Sequence, residues 1–321
     1  MEHPWRKRRV GVLMGGLSSE RDVSFRSGKA VAKALKGLGY QVTEIDAGRD
    51  LAQVLVRNRI DVVFNALHGK YGEDGCVQGL LEIVGVPYTG PGVAASAMSM
   101  DKSAAKKIFR AAGLTEAPFV ELERRQFPAP AAFRSFESPF GLPVVVKPND
   151  EGSSVGVSVV KTRAKLAPAL AAAFRYSSKV LVEQYVKGRE IAVAVLGERA
   201  LGTVEIRTRR EFYDYKAKYT RGETKYLVPA PLDPVVEHRL SADAIVASKV
   251  IACEGVSRVD FIVTDTFENY VLEVNTLPGL TELSLVPKIA AQAGIPFPVL
   301  CEQILDLASL KLDSGQEGTR R

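Results

Sequence analysis

The stretch Arg258–Pro287, RVDFIVTDTFENYVLEVNTLPGLTELSLVP, constrains the fold more than any other part of the chain. Val259, Phe261 and Val263, then Val271, Leu272 and Val274, are β-branched or bulky apolar residues spaced as in two short strands. The polar loop DTFEN between them makes the pair a hairpin. A register that pairs Thr264 with Asn269 sets Asp260 opposite Glu273 and Arg258 opposite Asn275. Side chains alternate across a strand, so those four polar residues share one face, and Val259, Phe261, Leu272 and Val274 share the other. One face is core. The other is a patch of two carboxylates, an amide oxygen and a guanidinium. Oxygen ligands crowded in this way suit Mg²⁺ holding phosphates. The plain alternative is a solvated sheet face with a salt bridge. The Thr-Leu-Pro-Gly that follows Asn275, ending the strand in a sharp turn, favours a site.

Upstream, apolar runs alternate with helical patterns. Val10–Met14 reads as a buried strand, with a helix from a Ser19/Asp22 start through about Leu38. Strands at Tyr40–Ile45 and Ile60–Leu67 flank a helix at Leu51–Val56. That alternation predicts a parallel α/β sheet, whose ligands sit at the carboxyl ends of its strands. Gly15–Glu20 and His68–Gly75 occupy those ends. Glu20 is either a helix-capping acid or an anionic anchor for a substrate ammonium. The three glycines of HGKYGEDG let a loop approach a ligand, with His68 and Glu73 as its polar contacts. Gly15-Gly16 does not make G-x-G-x-x-G, which counts against a dinucleotide-binding oxidoreductase. Val86–Tyr88 reads as a further short strand. Helices follow at Ala94–Met100 and Asp101–Ala112, where Lys102 is a surface lysine or a phosphate contact.

Pro143–Pro148 is a β-type run carrying Lys147, followed by the loop NDEGSSVG and a strand at Val157–Val160. A Gly/Ser-rich loop between strands, with lysine on the first, folds over polyphosphate. Backbone N–H groups and hydroxyls meet the oxygens while the lysine neutralises charge. Lys165–Tyr176 is an Ala-rich helix. Val180–Val186 is a strand whose backbone suits a nucleotide base, and Glu190 suits ribose hydroxyls. Ile191–Leu196 and Ala200–Ile206 form a hairpin around Gly197-Glu198. Glu211–Pro231 is long, polar and rich in tyrosine, as in a packed lid. Helices are expected at Pro234–Ala252, Ser284–Ala293 and Phe297–Leu310.

Taken together and in order, these motifs resemble those of D-alanine–D-alanine ligases, members of the ATP-grasp superfamily. They are G-G-x-S-S-E-R (15–21), H-G-x-x-G-E-D-G-x-x-Q-G (68–79), Y-T-G-x-G (88–92) and S-M-D-K (99–102). V-K-P-x-x-E-G-S-S-V-G (146–156), F-Y-D-Y-x-A-K-Y (212–219), R-V-D…E-V-N-T-x-P-G (258–279) and S-L-V-P (284–287) continue the series. The resemblance implies an N-terminal parallel α/β domain (1–101) before a two-part ATP-grasp fold. The parts are a central subdomain (102–183) and a C-terminal one (184–312) with a lid at 208–231, and 313–321 is a disordered tail. It further implies that ATP phosphorylates one D-alanine and that the amine of a second attacks the acyl phosphate, for peptidoglycan synthesis. Asp260, Glu273 and Asn275 match the ligands of two Mg²⁺ (or Mn²⁺). Arg258 and the Gly279 N–H match the groups that stabilise the tetrahedral oxyanion. Lys102, Lys147 and Lys218, with Ser154 of the glycine loop, match phosphate contacts, and Glu183, Val186 and Glu190 match adenosine contacts. Glu20 matches the acid holding the first ammonium, in one network with Ser153 and Tyr219. His68 belongs to the same pocket, and Ser284 and Leu285 take the second carboxylate. Gln184-Tyr185 stands where many members have Lys-Trp. Tyr219 favours amine over hydroxy-acid acceptors, which leaves D-serine as the alternative to D-alanine, with D-lactate disfavoured. Members are commonly homodimers.

Charge and cysteine use agree with a small anionic substrate in the cytoplasm. Lys and Arg number 43 against 37 Asp and Glu, a net charge of +6 concentrated at the termini, which requires no nucleic acid. Cys76, Cys253 and Cys301 lack metal-ligand spacing and read as reduced thiols. The apolar run after the basic N-terminus is too short for a membrane span. Two competitors remain. Another ATP-grasp carboxylate–amine ligase, such as a glutathione-synthetase-like enzyme, shares the hairpin and glycine loop but not HGKYGEDG. A nucleotide-binding regulator without catalysis has no need of the arginine, metal ligands and substrate anchor together.

Overall fold

The computed structural model describes residues 3–127, 130–208, 224–281 and 283–312. The chain begins with β1 (Arg9–Met14), which lies between β2 (Gln41–Asp46) and β3 (Val62–Asn65) in an all-parallel sheet. Val10, Val12, Leu13 and Met14 are buried, which is why this strand is a continuous apolar run and shows no alternation. The crossovers are α1 (Arg21–Gly37) and α2 (Leu51–Arg57), with α3 (Cys76–Val84) after β3. The sequence reading did not assign α3. Val86–Tyr88 is not a strand: Tyr88 makes only isolated bridges, to Val63 and Ser309. The start of α1 also differs from expectation. Glu20 occupies its N-cap position, no side-chain cap bond forms, and the carboxylate is used elsewhere.

Two helices, α4 (Val93–Met100) and α5 (Lys102–Ala111), lead into the second sheet. The Asp101 side chain caps α5 by accepting from the Ala104 N–H. Ala105 and Phe109 bury one face of α5 in a core shared with Val259, Phe261 and Val271. Phe109→Ala would cost about 3–5 kcal/mol and loosen the helix that carries Lys102. The second sheet contains β4 (Phe119–Glu123), β5 (Val144–Pro148), β6 (Ser158–Val160) and β7 (Lys179–Gln184), antiparallel in the order β4-β7-β5-β6. Helix α6 (Arg163–Ala173) covers one face through Leu166 and Leu170, packed on Val144, Val146, Val180 and Val182. Because side chains alternate, the opposite face carries Val145 and Lys147.

The third sheet is antiparallel, in the order β10-β9-β8-β11-β12. Its strands are β8 (Arg189–Leu196), β9 (Arg199–Thr208), β10 (Thr224–Leu227), β11 (Val256–Val263) and β12 (Asn269–Asn275). The expected β8–β9 hairpin is present. Strand β10 falls inside the stretch expected to be an irregular lid, and it pairs with β9. Helix α7 (Pro234–Val250) packs on this sheet, and α8 (Leu285–Gln292) and α9 (Phe297–Asp306) close the fold. Ile289, Leu300 and Ile304 share a core with Val10, Leu35 and Phe64, so the first and third sheets are joined by continuous apolar packing. Each such aliphatic side chain contributes about 1.5–3 kcal/mol on burial. Among the described residues no helix is long and apolar enough to cross a membrane.

The β11–β12 hairpin corrects the expected register near its turn. Asn269 pairs with Val263, not Thr264, and a bulge between Asp260 and Phe261 restores the expected pairs Asp260–Glu273 and Arg258–Asn275. The bulge has a consequence for sidedness. Val271, 1% exposed, takes the core position opposite Phe261, while Leu272 is displaced from the core.

Candidate active site

A cleft enclosing about 1020 Å³, solvent at its mouth included, separates the second and third sheets. Val145 and Lys147 of β5, Val157 and Val159 form one wall; Asp260 and Ile262 of β11 with Leu272 and Glu273 of β12 form the other. The bulge therefore delivers Leu272 as an apolar wall beside Glu273. Gln184, Tyr185 and Val186 line the end where the chain crosses between the sheets, together with Glu183 and Glu190. A flat apolar slot with backbone at its edge accepts a planar ring, and the polar end accepts charge. Lys102, Glu151 and Ser154 border that polar end, which continues into a smaller pocket lined by Glu73, Gly152, Glu273 and Asn275.

The hairpin face is as the alternation of side chains required. Arg258 holds Asp260 by two parallel bonds, Nε to Oδ1 at 2.7 Å and an Nη to Oδ2 at 2.7 Å. The Asn275 amide nitrogen donates to Asp260 Oδ2 at 3.0 Å. Glu273 lies across from Lys102, 3.9 Å from its Nζ. Burial pulls the Lys102 ammonium below the ordinary lysine range, and Glu273 opposes that shift. Lys102 Nζ also donates to the Glu151 carbonyl at 2.5 Å, and the Ser103 N–H donates to Asn149 Oδ1 at 2.9 Å. The start of α5 is thus bonded to the loop between β5 and β6. In that loop Ser153 and Ser154 adopt left-handed backbone, with φ of 50° and 58°. For non-glycine residues this is a strained conformation, of the kind found at ligand clamps.

Three loops meet at Glu20. The Ser153 hydroxyl donates to its carboxylate. A Cβ on Gly69 would stand 2.8 Å from Glu20 Oε2, and one on Gly152 3.2 Å. The glycines of both motifs therefore let the backbone close around this carboxylate. Of the two readings of Glu20, capping is not what its side chain does. Nearby, His68 Nε2 lies 3.2 Å from Ser27 Oγ, and Ser27 accepts from the Leu280 N–H at 3.2 Å. The other ring nitrogen is 3.4 Å from Glu73. His68 is 7% exposed and lines a pocket beside Gly15, Gly16 and Cys76.

After β12 the chain turns through Gly279, where an added Cβ would stand 2.8 Å from Ser284 Oγ. Ser284 Oγ accepts from the Thr281 N–H at 3.0 Å and lies 2.8 Å from the Thr281 hydroxyl. Ser284 precedes α8 and Leu285 opens it. First-turn amides have no intrahelical partner, so this corner suits an anion. Lys218 and Tyr219 lie outside the described residues.

Residues that the sequence reading did not single out complete the site. Lys106 is buried, with Nζ 3.3 Å from Glu116 and 3.3 Å from Glu183 Oε1. Lys147 Nζ is 2.8 Å from the same Glu183 oxygen. Burial would raise the Glu183 carboxyl, but Lys106 and Lys147 outweigh it and hold the group below the usual glutamate range. Lys70 Nζ is 2.6 Å from Glu151. Lys106 stands one helical turn beyond Lys102, a spacing that did carry a signal. The pairing of Lys70 with Glu151 had none.

Comparison with known proteins adds the following. The family description "D-ala D-ala ligase C-terminus" matches residues 108–306, and "D-ala D-ala ligase N-terminus" matches residues 51–91. A D-alanine–D-alanine ligase from Geobacter sulfurreducens is 53% identical over 97% of this chain and 97% of its own. One from an Anaeromyxobacter species is 54% identical over 96% of this chain and 99% of its own. The crystal structure of D-alanine–D-alanine ligase from Bacillus anthracis complexed with ATP superposes with a TM-score of 0.81 at 34% identity, covering 94% of this chain and 97% of that one. A D-Ala:D-Ser ligase from Enterococcus faecalis also gives 0.81, at 30% identity over 94% of this chain and 99% of its own.

Proposed function

The chain belongs to the D-alanine–D-alanine ligase family, and we propose that its cleft joins two D-alanines at the expense of ATP in the cytoplasm, for peptidoglycan synthesis. Its fold is the ATP-grasp with a parallel α/β domain before it. The observation that carries the reading is the convergence of the hairpin face, the two cleft lysines Lys102 and Lys147, and the glycine loop on one cleft. ATP lies with its base in the apolar slot near Val186, its ribose near Glu190 and its phosphates toward Lys102, Lys147 and Ser154. A carboxylate is a poor electrophile. Transfer of the γ-phosphoryl group to the first D-alanine makes an acyl phosphate and releases ADP. The free amine of the second D-alanine attacks that carbon, and phosphate leaves from the tetrahedral intermediate. Catalysis is then positioning and charge stabilisation.

In this assignment Glu20 holds the first ammonium, with Ser153 orienting it, and Tyr219 completes that network from the lid, where Lys218 adds a phosphate contact. Arg258 and the Gly279 N–H stabilise the oxyanion. Ser284 and the Leu285 N–H take the second carboxylate. The donor set of the hairpin fits a hard divalent cation. Asp260, Glu273 and Asn275 offer oxygen donors on one face. In this reading the Asn275 amide oxygen is the third donor beside the two carboxylates. Two Mg²⁺ or Mn²⁺ held there would neutralise phosphate charge. The protein acts as a homodimer in this reading. The likeness to a D-Ala:D-Ser ligase keeps D-serine as the alternative acceptor.

An ADP-release assay tests the whole. Release should require D-alanine and Mg²⁺ and fail with L-alanine. D-serine and D-lactate serve as comparators. ADP release without a dipeptide detectable by mass spectrometry would contradict the proposal.

A further inference from the structure

Lys106 has no place in the chemistry just described, yet it is the most deeply buried lysine of the site, with a side chain 1% exposed. Its Nζ and that of Lys147 converge on a single oxygen, Glu183 Oε1, at 3.3 Å and 2.8 Å. The two lysines differ in what else they can reach. Lys147 lines the cleft. Lys106 is held from behind, by Glu116 Oε2 and the Ala117 carbonyl, each at 3.3 Å. Arg110 in turn pairs with the other Glu116 oxygen. Nucleotide phosphates compete for Lys147. A buried carboxylate stripped of its only cation is strongly destabilised, so drawing Lys147 away from Glu183 is cheap only where a second cation stays behind.

We propose that Lys106 is a positioning residue that remains as the fixed counter-ion of Glu183 and thereby releases Lys147 to the nucleotide phosphates. The inference rests on the nucleotide reading of the cleft. Its physical content is an exchange: Glu183 passes from two cations to one, and the phosphate gains the other. Without Lys106, every phosphate contact made by Lys147 orphans Glu183.

The test measures binding, not ligation. Wild-type protein and Lys106→Met are titrated with ADP–Mg²⁺ and, separately, with adenosine, which has no phosphate to draw on Lys147. The variant should bind ADP about tenfold more weakly or worse, with adenosine affinity changed less than about twofold. Adenosine binding also reports that the variant is folded. In a Glu183→Gln background, where there is no charge to orphan, Lys106→Met should cost ADP binding less than about twofold. This double variant supplies the measurement if the single one fails to fold. Equal losses for ADP and adenosine, or an undiminished ADP loss in the Glu183→Gln background, would overturn the proposal and leave the nucleotide site standing. Failure of the wild type to bind either ligand would overturn both.

Discussion

The polar face of the β11–β12 hairpin and the ion cluster around Glu183 use the same kinds of group in opposite surroundings. On the hairpin, Arg258 and Asp260 are paired with side chains 13% and 8% exposed, but Glu273 is one-third exposed and lies 3.9 Å from Lys102, beyond hydrogen-bond length. Around Glu183, the side chains of Lys106, Glu116 and Glu183 are 1%, 4% and 3% exposed. The first set lines a cleft and can exchange its internal pairs for ligands. In the second, Lys106 and Glu116 are dry and fixed by their partners, while Glu183 and Lys147 carry the cluster to the cleft wall. The difference separates groups that meet the reaction from groups that hold those in place. It also predicts that substitution of the exposed Glu273 changes rates more than stability, and that substitutions in the buried cluster, or of the buried Arg258–Asp260 pair, change both.

The largest expected effect falls on Arg258. Replacing it by Met removes the donor proposed for developing negative charge, which should lower kcat about 10²–10³-fold, and leaves the buried Asp260 carboxylate without its paired guanidinium, which should lower stability as well. Steady-state kinetics and a melting curve check the two halves together. A large fall in stability with a modest fall in kcat would place Arg258 with the buried cluster. Glu273→Gln comes next. It keeps the shape of the side chain and removes one anionic donor, so the Mg²⁺ requirement should rise about tenfold or more, with partial recovery at high Mg²⁺. An unchanged Mg²⁺ titration would contradict the metal assignment.

The contrast also explains what could be read in advance. Arg258, Asp260, Glu273 and Asn275 are near neighbours in sequence, and the alternation of a strand places them on one face whatever the rest of the chain does. Even there the turn register was missed, because a bulge inserts a residue without a marker such as glycine; Leu272 carries it. The parallel sheet followed from the order of apolar runs and helices. Strand β4 had a weaker signature: Phe119–Glu123 reads FVELE, a short edge strand marked only by Pro118 before it. The Lys106–Glu183 pair joins residues far apart in sequence, and neither composition nor period pairs a lysine on one helix with a glutamate on a distant strand. Glu20 lies between these cases. Its loop was legible, and its use by Ser153 required the fold.

Acid stability probes the buried side of the comparison. Lys106 and Lys147 hold the Glu183 carboxyl below the usual glutamate range. The unfolded chain therefore binds a proton there before the folded chain does. The stability that Glu183 contributes is complete above the ordinary glutamate pKa and is lost as pH falls through the lower folded value. Wild type should lose stability on that acid limb, and Glu183→Gln should show a flatter one. Denaturant melts between neutral pH and the acid limb measure the difference. Parallel curves would mean that the two lysines do not hold the charge.

The smallest effect belongs to a pair that spans the two environments. Lys70, from the loop after β3, reaches Glu151 on the glycine loop at 2.6 Å, and its side chain is 46% exposed. Glu151 raises the Lys70 ammonium above its ordinary value, as expected of a charge partner. Exposure limits what such a pair contributes, to about 1 kcal/mol or less, and salt screens it. Lys70→Ala should therefore leave the melting temperature nearly unchanged. The pair nevertheless fastens a loop that also bonds Glu20 and Lys102. Its loss should raise the KM for ATP about twofold to threefold at low ionic strength, and the difference from wild type should vanish as salt is added. A loss that persists at high salt would move Lys70 from the solvent-screened class into the fixed one, and would make the boundary between the two regions a matter of loop geometry instead of exposure.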